Sequence, residues 1–182
     1  SVFGRFNYGF SDKYLLELDF RYDGSSRFAD DVRWDLFSAA SAGWVFTEEN
    51  FLRNSKILDF GKIRFSYGAQ GNDRIADFAY LDILPVNTMP IGNQLTIGYR
   101  QTSVGNELLT WEAAEKSDVG IDLAFFDRQL NITADYFVNK TDNILLRLPI
   151  PDVFGGPDYP YQNAGSVENK GWELQLGWQD QI

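Results

Sequence analysis

The sequence contains no cysteine and no histidine among its 182 residues. Without cysteine it has neither a disulfide framework nor a thiolate metal site. Without histidine, the Ser-His-Asp and Cys-His nucleophile systems are excluded, and so is the commonest zinc ligand. Glycine-rich phosphate-binding motifs are missing as well. We therefore expect a protein that is not an enzyme, with no catalytic residue, no metal site and no cofactor.

Long apolar runs and an excess of basic residues are also absent. No stretch approaches the roughly 18 apolar residues of a membrane helix, which excludes a helical membrane protein. Lysine and arginine number 16 against 26 aspartates and glutamates, a net charge of -10. Because nucleic acid is bound by clustered basic side chains, we expect no nucleic-acid partner. No signal peptide is recognisable at the first residues, and we expect a fragment that begins in mid-pattern.

What the sequence does contain is alternation of apolar and polar residues. In residues 14–23, Tyr14, Leu16, Leu18, Phe20 and Tyr22 alternate with polar or charged neighbours. A period of two indicates a β-strand with two different faces. Seven such strands are predicted, near residues 2–10, 14–23, 34–46, 57–68, 111–126, 129–148 and 163–178. The fold class is therefore all-β and antiparallel.

The connections between these strands alternate between short and long. Residues 11–13, 47–56 and 127–128 form the shorter set, and residues 24–33, 69–110 and 149–162 form the longer one. Outer-membrane barrels combine short periplasmic turns with longer extracellular loops. The segment 69–110 contains several turn signals between short apolar pieces, and we expect a folded extracellular loop there.

Aromatic residues mark both predicted ends of the strands, as expected for the two girdles of a membrane barrel. Those beside the short connections are Tyr8, Phe10, Tyr14, Trp44, Phe46, Phe125, Phe126 and Trp178. Those at the opposite ends are Tyr22, Trp34, Tyr67 and Trp111. The same parity places Glu115 on the apolar face, which requires it to lie above the membrane or beside a bulge. A soluble β-sandwich that serves as a binding or adhesion module is the alternative, because alternation suits its core equally.

Several passages, taken in order, resemble one family. They are Arg21-Tyr22-Asp23-Gly24-Ser25-Ser26-Arg27-Phe28, Ser41-Ala42-Gly43-Trp44, Phe65-Ser66-Tyr67-Gly68-Ala69-Gln70-Gly71-Asn72, Asn106-Glu107-Leu108-Leu109-Thr110-Trp111-Glu112, Gly120-Ile121-Asp122, Ala134-Asp135-Tyr136-Phe137 and Asn169-Lys170-Gly171-Trp172-Glu173-Leu174. On these residues the chain resembles the SusC/RagA-like TonB-linked outer-membrane proteins over nearly its whole length.

The resemblance implies a nutrient importer in the outer membrane of a Gram-negative bacterium. It implies a plugged barrel of roughly 22 strands, of which residues 1–182 would be a partial segment of about seven strands. The plug domain and the remaining strands would lie outside this chain. The implied partners are a SusD-like surface lipoprotein, the TonB complex acting through the missing plug, outer-membrane lipid, and an oligosaccharide or peptide cargo. A siderophore or cobalamin receptor is the alternative within transport.

Candidate cargo contacts follow from the polar parity of the strands. Glu17, Asp19, Arg21, Lys62 and Arg64 would face the lumen and line a path for a hydroxyl-rich or peptide cargo. The competing explanation is that these charges pair with each other across strands. In the loops, aromatic residues would stack on sugar rings or pack a lid. They are Phe78, Tyr80, Phe154, Tyr159 and Tyr161.

Overall fold

The structure is a computed structural model that describes residues 1–149, 151, 153 and 158–180. Within these residues the strands are β1 Val2–Phe10, β2 Tyr14–Gly24, β3 Trp34–Val45, β4 Leu58–Asn72, β5 Val86–Ile91, β6 Gln94–Tyr99, β7 Glu112–Phe125, β8 Leu130–Asp142, β9 Leu145–Arg147, β10 Tyr161–Asn163 and β11 Val167–Trp178. Two 3-10 turns span Asp30–Val32 and Phe46–Glu48. In the described part of the chain, no helix is long and apolar enough to cross a membrane.

Seven of the described strands form one antiparallel sheet in the order β1-β2-β3-β4-β7-β8-β11. Each strand pairs with the next long strand along the chain, so the sheet is a simple meander. The seven strands expected from alternation are confirmed. The predicted strand 129–148 is wrong at its end, because β8 stops at Asp142 and Leu145–Arg147 forms the separate strand β9. The short pairs β5 with β6 and β9 with β10 were not predicted, and both lie in the connections at one end.

The sheet has one apolar face and one polar face, which we name by their composition. Leu18 of β2 and Leu174 of β11 lie on the apolar face, whereas Asp19 and Gln175 lie on the polar face. Leu174 is 68% exposed, and Phe20, Phe65 and Val119 on other strands of this face are exposed as well, so nothing within the described residues covers the apolar face. An uncovered apolar sheet contradicts the soluble sandwich, in which a second sheet would bury this face.

The aromatic boundaries of the apolar face slope across the sheet. At the end with the long connections, the last aromatic residue of the apolar face is Trp172 on β11 and Tyr22 on β2; we call this the upper boundary. Through five strand pairings, the register places Trp172 level with Leu16 of β2, six residues before Tyr22. At the tight-turn end, the lower boundary is Tyr14 on β2 and Trp178 on β11. The register places Tyr14 level with Leu174, four residues before Trp178. With about 3.3 Å per residue and about 4.8 Å between strands, these shifts correspond to a tilt of about 30–40°. Strands of membrane barrels tilt by about 35–45°.

This slope explains the position of Glu115. Glu115 lies opposite Lys140, which lies opposite Glu168 on β11. On the apolar face this row is the next one beyond the row that contains Tyr67. The described register of β4 with β7 shifts only between Leu58 and Phe60, so no bulge is involved. Glu115 therefore lies beyond the apolar band at the end with the long connections.

Tight turns close the opposite end of the sheet. Ser11 and Asp12 between β1 and β2 have positive φ angles of 53° and 57°. In the turn from β7 to β8, Phe126, Asp127 and Arg128 are also left-handed, with φ angles of 58°, 55° and 64°. Consecutive left-handed residues match the right-handed twist of paired strands in a hairpin.

The buried core lies at the long-connection end, under the loops. It consists of Phe28, Phe37, Ile75, Ala79, Leu109 and Trp111. Trp111 was predicted to belong to the exposed girdle, and that prediction is wrong, because its side chain is only 7% exposed. Its ring packs against Phe28 at 5.1 Å and Phe37 at 5.4 Å. Tyr22 and Trp34 do remain exposed, with their rings stacked at 5.2 Å.

Candidate functional site

Five of the six predicted cargo-contact residues lie on the polar face. Glu17, Lys62 and Arg64 line one concavity of about 490 Å³, and Asp19 and Arg21 line another of about 490 Å³. Phe37 and Val45 of β3 lie opposite Arg21 and Lys62. Opposite Asp19, Glu17 and Arg64, however, β3 places only the small residues Ala39, Ser41 and Gly43 on this face. Small residues there leave room above the sheet, so the charged side chains surround open space.

Arg64 connects three strands of the polar face. Its Nε donates to Asp122 of β7 at 2.7 Å, and its Nη2 donates to Asp135 of β8 at 2.8 Å. Thr133 donates to Asp122 at 3.1 Å and completes the group. Charge-assisted bonds to a planar guanidinium are strong and directional. The arrangement is therefore a preorganised cluster, not a set of independent surface charges.

Gly120 makes this cluster possible. It lies between Arg64 and Asp135 in the register, on the strand that the guanidinium must cross. A Cβ at this position would lie 2.7 Å from Nη2 of Arg64, closer than real side chains allow. Glycine is used where another group must approach the backbone this closely. The Gly120-Ile121-Asp122 passage of the sequence therefore has a specific geometric role.

The charges on β1 and β2 are also paired. Arg5 donates to Asp19 at 2.6 Å and lies 3.9 Å from Glu17. Arg21 pairs with Asp23 at 2.5 Å. Lys62 lies opposite Asp122 in the register of β4 with β7. Arg5, Asp122 and Asp135 were not predicted as cargo contacts, although the same alternation places them on the polar face.

Tyr80 is not brought to this group. It lies half-buried in a turn of the connection between β4 and β5, outside the sheet. Of the other loop aromatics, Phe78 and Tyr159 are exposed and Tyr161 is partly buried against the core. Phe154 lies outside the described residues. The polar face and the loop aromatics are therefore two separate groups.

The passage Ser25-Ser26-Arg27-Phe28 anchors the long loop. Ser25 donates to Asp73 at 2.8 Å, and Arg27 donates to Asp77 at 2.9 Å and to the carbonyl of Asp73 at 3.1 Å. The hydrogen bond to Asp77 raises the pKa of Arg27. Phe28 is fully buried beneath these contacts. This part of the motif is therefore structural and connects the rim of the sheet to the loop that follows β4.

A second anchor joins the later loops. Asn163 accepts from the backbone of Thr110 at 2.9 Å and donates to its carbonyl at 2.8 Å. Asn106 donates to the carbonyl of Tyr161 at 3.0 Å. Glu112, the first residue of β7, accepts from Asn72 at 2.9 Å. These contacts give the Asn106–Glu112 passage a role in fixing the loops, which alternation alone did not reveal.

At the tight-turn end, Glu49 joins the ends of β2 and β3 to the turn that precedes β2. It accepts hydrogen bonds from Tyr14 at 2.7 Å, Lys13 at 2.9 Å and Trp44 at 3.3 Å. The bonds from Tyr14, Lys13 and Trp44 lower the pKa of Glu49. Two residues of the aromatic girdle, Tyr14 and Trp44, are thereby tied to the turn.

Comparison with known proteins decides the family. The family model described as "TonB dependent receptor-like, beta-barrel" matches residues 1–181. The chain belongs to this TonB-dependent receptor β-barrel family. The family is named for receptors and not for an enzymatic activity. The resemblance to SusC/RagA-type proteins and the antiparallel barrel fold are confirmed.

Two relatives in this TonB-dependent receptor family illustrate the match. The chain is 38% identical over 176 residues to TonB-dependent receptor P39 of Formosa agariphila, covering 97% of this chain and 17% of that protein. It is 36% identical over 181 residues to TonB-dependent receptor SusC of Bacteroides thetaiotaomicron, covering 97% and 18%. The chain thus spans less than a fifth of the length of these relatives.

Solved structures agree. The RagAB peptide transporter superposes with a TM-score of 0.83 at 29% identity, over 96% of this chain and 19% of that one. The RagAB peptide importer in its "open-open" state gives a TM-score of 0.85 at 29% identity, over 99% and 19%. The fold of this segment is therefore that of one part of a TonB-dependent receptor barrel.

Proposed function

We propose that the protein to which this segment belongs is a TonB-dependent importer in the outer membrane of a Gram-negative bacterium. It takes up an oligosaccharide or a peptide and breaks no bond in it. The observation that carries the proposal is the two-faced, sloping sheet. Its apolar face is uncovered and bordered by aromatic residues, and its polar face bears preorganised charges around open space.

In this proposal the apolar face contacts lipid and the polar face lines part of the lumen. The two edge strands of the sheet are β1 and β11, and each has one unpaired side in the described residues. An unpaired strand edge in a bilayer costs several kcal/mol for each unsatisfied backbone group. The rest of the parent protein must therefore supply further strands that close a barrel, for which roughly 22 strands are expected.

Glu17, Asp19, Arg21, Lys62 and Arg64 then have a defined place in transport. Ion pairs hold Asp19, Arg21 and Arg64 in fixed orientations on the polar face. Glu17 and Lys62 add further charged groups beside them. Fixed donors and acceptors orient a hydroxyl-rich or peptide cargo without binding it irreversibly. Tyr80 lies in the extracellular loop, so any contact it makes with cargo would come before entry to the lumen.

The proposed partners follow from the relatives. One similar protein is SusC, and the solved structures similar to this chain are those of the RagAB peptide transporter and importer. We infer a SusD-like surface lipoprotein that covers the extracellular end and a TonB complex that acts through a plug outside this segment. These partners belong to the full-length protein, of which residues 1–182 contribute one wall.

The test uses the full-length protein in its host. A strain lacking the gene is supplied with a neutral oligosaccharide mixture, a tryptic casein digest, ferric citrate or cyanocobalamin as the limiting nutrient. Growth should be lost on the oligosaccharides or on the peptides, and should be normal on monosaccharides and free amino acids. A tagged copy purified in mild detergent should carry a lipoprotein that mass spectrometry identifies.

Two results would contradict the proposal. Loss of growth confined to ferric citrate or cyanocobalamin would favour the siderophore or cobalamin receptor. Normal growth on all four nutrients would contradict the proposal that the protein imports any of them. The matched control is the same strain carrying the wild-type gene on a plasmid, which should restore growth on the affected nutrient.

A further inference from the structure

A cavity of about 180 Å³ lies among the extracellular loops, away from the polar face. Three segments enclose it: residues 76–83 after β4, residues 102–104 before β7, and residues 158–161, which lead into β10, with Arg147 of β9 beside them. The cavity is smaller than the roughly 300–1,000 Å³ of pockets that enclose a drug-sized ligand. It therefore has room for a single unit of a polymer, with the rest of the polymer outside.

The walls of the cavity are fixed by backbone hydrogen bonds between the loops. Thr102 donates to Ile83 at 3.0 Å, Ile83 donates to Ser103 at 3.3 Å, and Asp158 donates to Thr102 at 2.9 Å. Ala79 and Tyr161, which also line the cavity, belong to the buried core or pack against it. The site is therefore preformed and rests on the buried core of the described residues.

Phe78 has an unusual backbone that presents its ring at this cavity. It is a non-glycine residue with a φ angle of +59°, and its side chain is 58% exposed. The turn is closed by the bond from Leu81 to its carbonyl at 2.9 Å. A large residue in this conformation is strained, and such strain concentrates at ligand-binding positions. A glycine would adopt this positive φ angle without strain. The turn therefore does not account for the presence of an aromatic ring at this position.

Polar groups of opposite charge accompany the aromatic rings. The guanidinium of Arg147 lies 4.6 Å from the ring centroid of Tyr161, and Asp158 and the exposed Tyr159 complete this side. Asp77 also lines the cavity, and its carboxylate is already bonded to Arg27. A charged side chain in the cavity would be attracted by one of Arg147 and Asp158 and repelled by the other. A neutral ring with an apolar face and hydroxyl groups around its edge matches all of these groups. Its hydroxyls donate to the carboxylate and accept from the guanidinium.

We propose that this cavity binds one neutral monosaccharide unit of an oligosaccharide, stacked on Phe78 and Tyr159 and hydrogen-bonded by Arg147 and Asp158. This rests on the proposed import function and narrows its cargo to neutral glycans. The subsite captures the chain at the loops, before the cargo reaches the charged wall of the lumen.

The test compares Phe78→Gly and Tyr159→Ala in the full-length protein, purified in detergent. Maltohexaose, cellohexaose, xylohexaose, mannohexaose and a tryptic casein digest are titrated by calorimetry. At least one oligosaccharide should bind the wild type, and each variant should weaken that binding by about tenfold. Phe78→Gly should leave thermal stability unchanged or higher, because glycine relieves the strained φ angle. A purely structural role for the ring would predict the opposite.

The matched control is Tyr99→Ala, which removes an exposed aromatic ring from β6 in the same loop region, outside the cavity. It should bind like the wild type. Unchanged oligosaccharide affinity in both cavity variants overturns the subsite, and binding of peptides alone overturns the glycan assignment. Neither result contradicts the proposed import function, because the growth experiment tests that function separately. If none of the oligosaccharides binds, the glycan assignment is also rejected.

Discussion

Arg64 donates to Asp135 at 2.8 Å from β4 to β8, across the whole width of β7. The contact exists because Gly120 leaves the backbone of β7 bare at that level. It ties together three neighbouring strands on the face that we assign to the lumen.

Gly120→Ala should break the reach of Arg64 across β7. The new Cβ would collide with Oδ1 of Asp135 and lie 2.7 Å from Nη2 of Arg64, so these flexible side chains must move apart. Their hydrogen bond is then lost, at a cost of about 1 kcal/mol. We expect the full-length protein to unfold at lower urea concentration in detergent, and its uptake of cargo to fall. Gly177→Ala on the same face is the control, because its nearest neighbour would lie at an ordinary 3.8 Å. Equal effects of the two substitutions would remove the special role of Gly120.

Glu49→Gln should change how stability depends on pH. The pKa of Glu49 is lower when folded than when unfolded, because Tyr14, Lys13 and Trp44 donate to its carboxylate. Its contribution is therefore present above the unfolded pKa of about 4.3 and is lost as the pH falls through the lowered folded pKa. The variant should be less stable than the wild type at pH 7, and this difference should shrink progressively below about pH 4.

Urea unfolding of the full-length protein in detergent, from pH 2.5 to pH 7, measures this difference. Glu48→Gln is the control, since Glu48 makes only a 4.0 Å contact with Arg53 among the described ion pairs. A stability difference for Glu49→Gln that stays constant over the whole range would contradict the assignment.

Phe28→Ala should destabilise the extracellular loops locally without unfolding the barrel. Truncating a fully buried phenylalanine costs about 3–5 kcal/mol. Because Phe28 packs with Trp111 under the loop that Arg27 anchors, the loss should be local. Limited proteolysis on intact cells should give faster cleavage within residues 73–110, with normal amounts of protein in the outer membrane. Phe51→Ala, at an exposed ring beyond the other end of the sheet, should leave cleavage unchanged.

The alternation of apolar and polar residues was sufficient to predict the main sheet. The apolar side chains of Leu18 and Leu174 predict one face, and the polar side chains of their neighbours Asp19 and Gln175 predict the other. The structure places all four residues on the predicted faces. The long loop was expected at residues 69–110, but β4 continues to Asn72 and β7 begins at Glu112. Strand ends were less predictable because loop contacts, such as Asn72 with Glu112, decide where pairing stops.

What alternation could not supply was the partner of each side chain. It placed Arg64 on the polar face, but the bond to Asp135 depends on a register between segments 71 residues apart. Trp111 was assigned to the girdle because an aromatic residue at a strand end suits a membrane boundary. Its burial depends on Phe28 and Phe37, which are distant in the sequence. Contacts of this kind require the topology to be known first.

The central claim is that the apolar face of the sheet contacts lipid and the polar face contacts water. Leu174→Arg and Gln175→Arg test it directly, because these neighbours on β11 point to opposite faces. In full-length protein refolded into lipid vesicles, Leu174→Arg should lower the unfolding free energy by about 2–4 kcal/mol, and Gln175→Arg should change it little. Equal costs, or a larger cost for Gln175→Arg, would contradict a lipid-facing barrel wall.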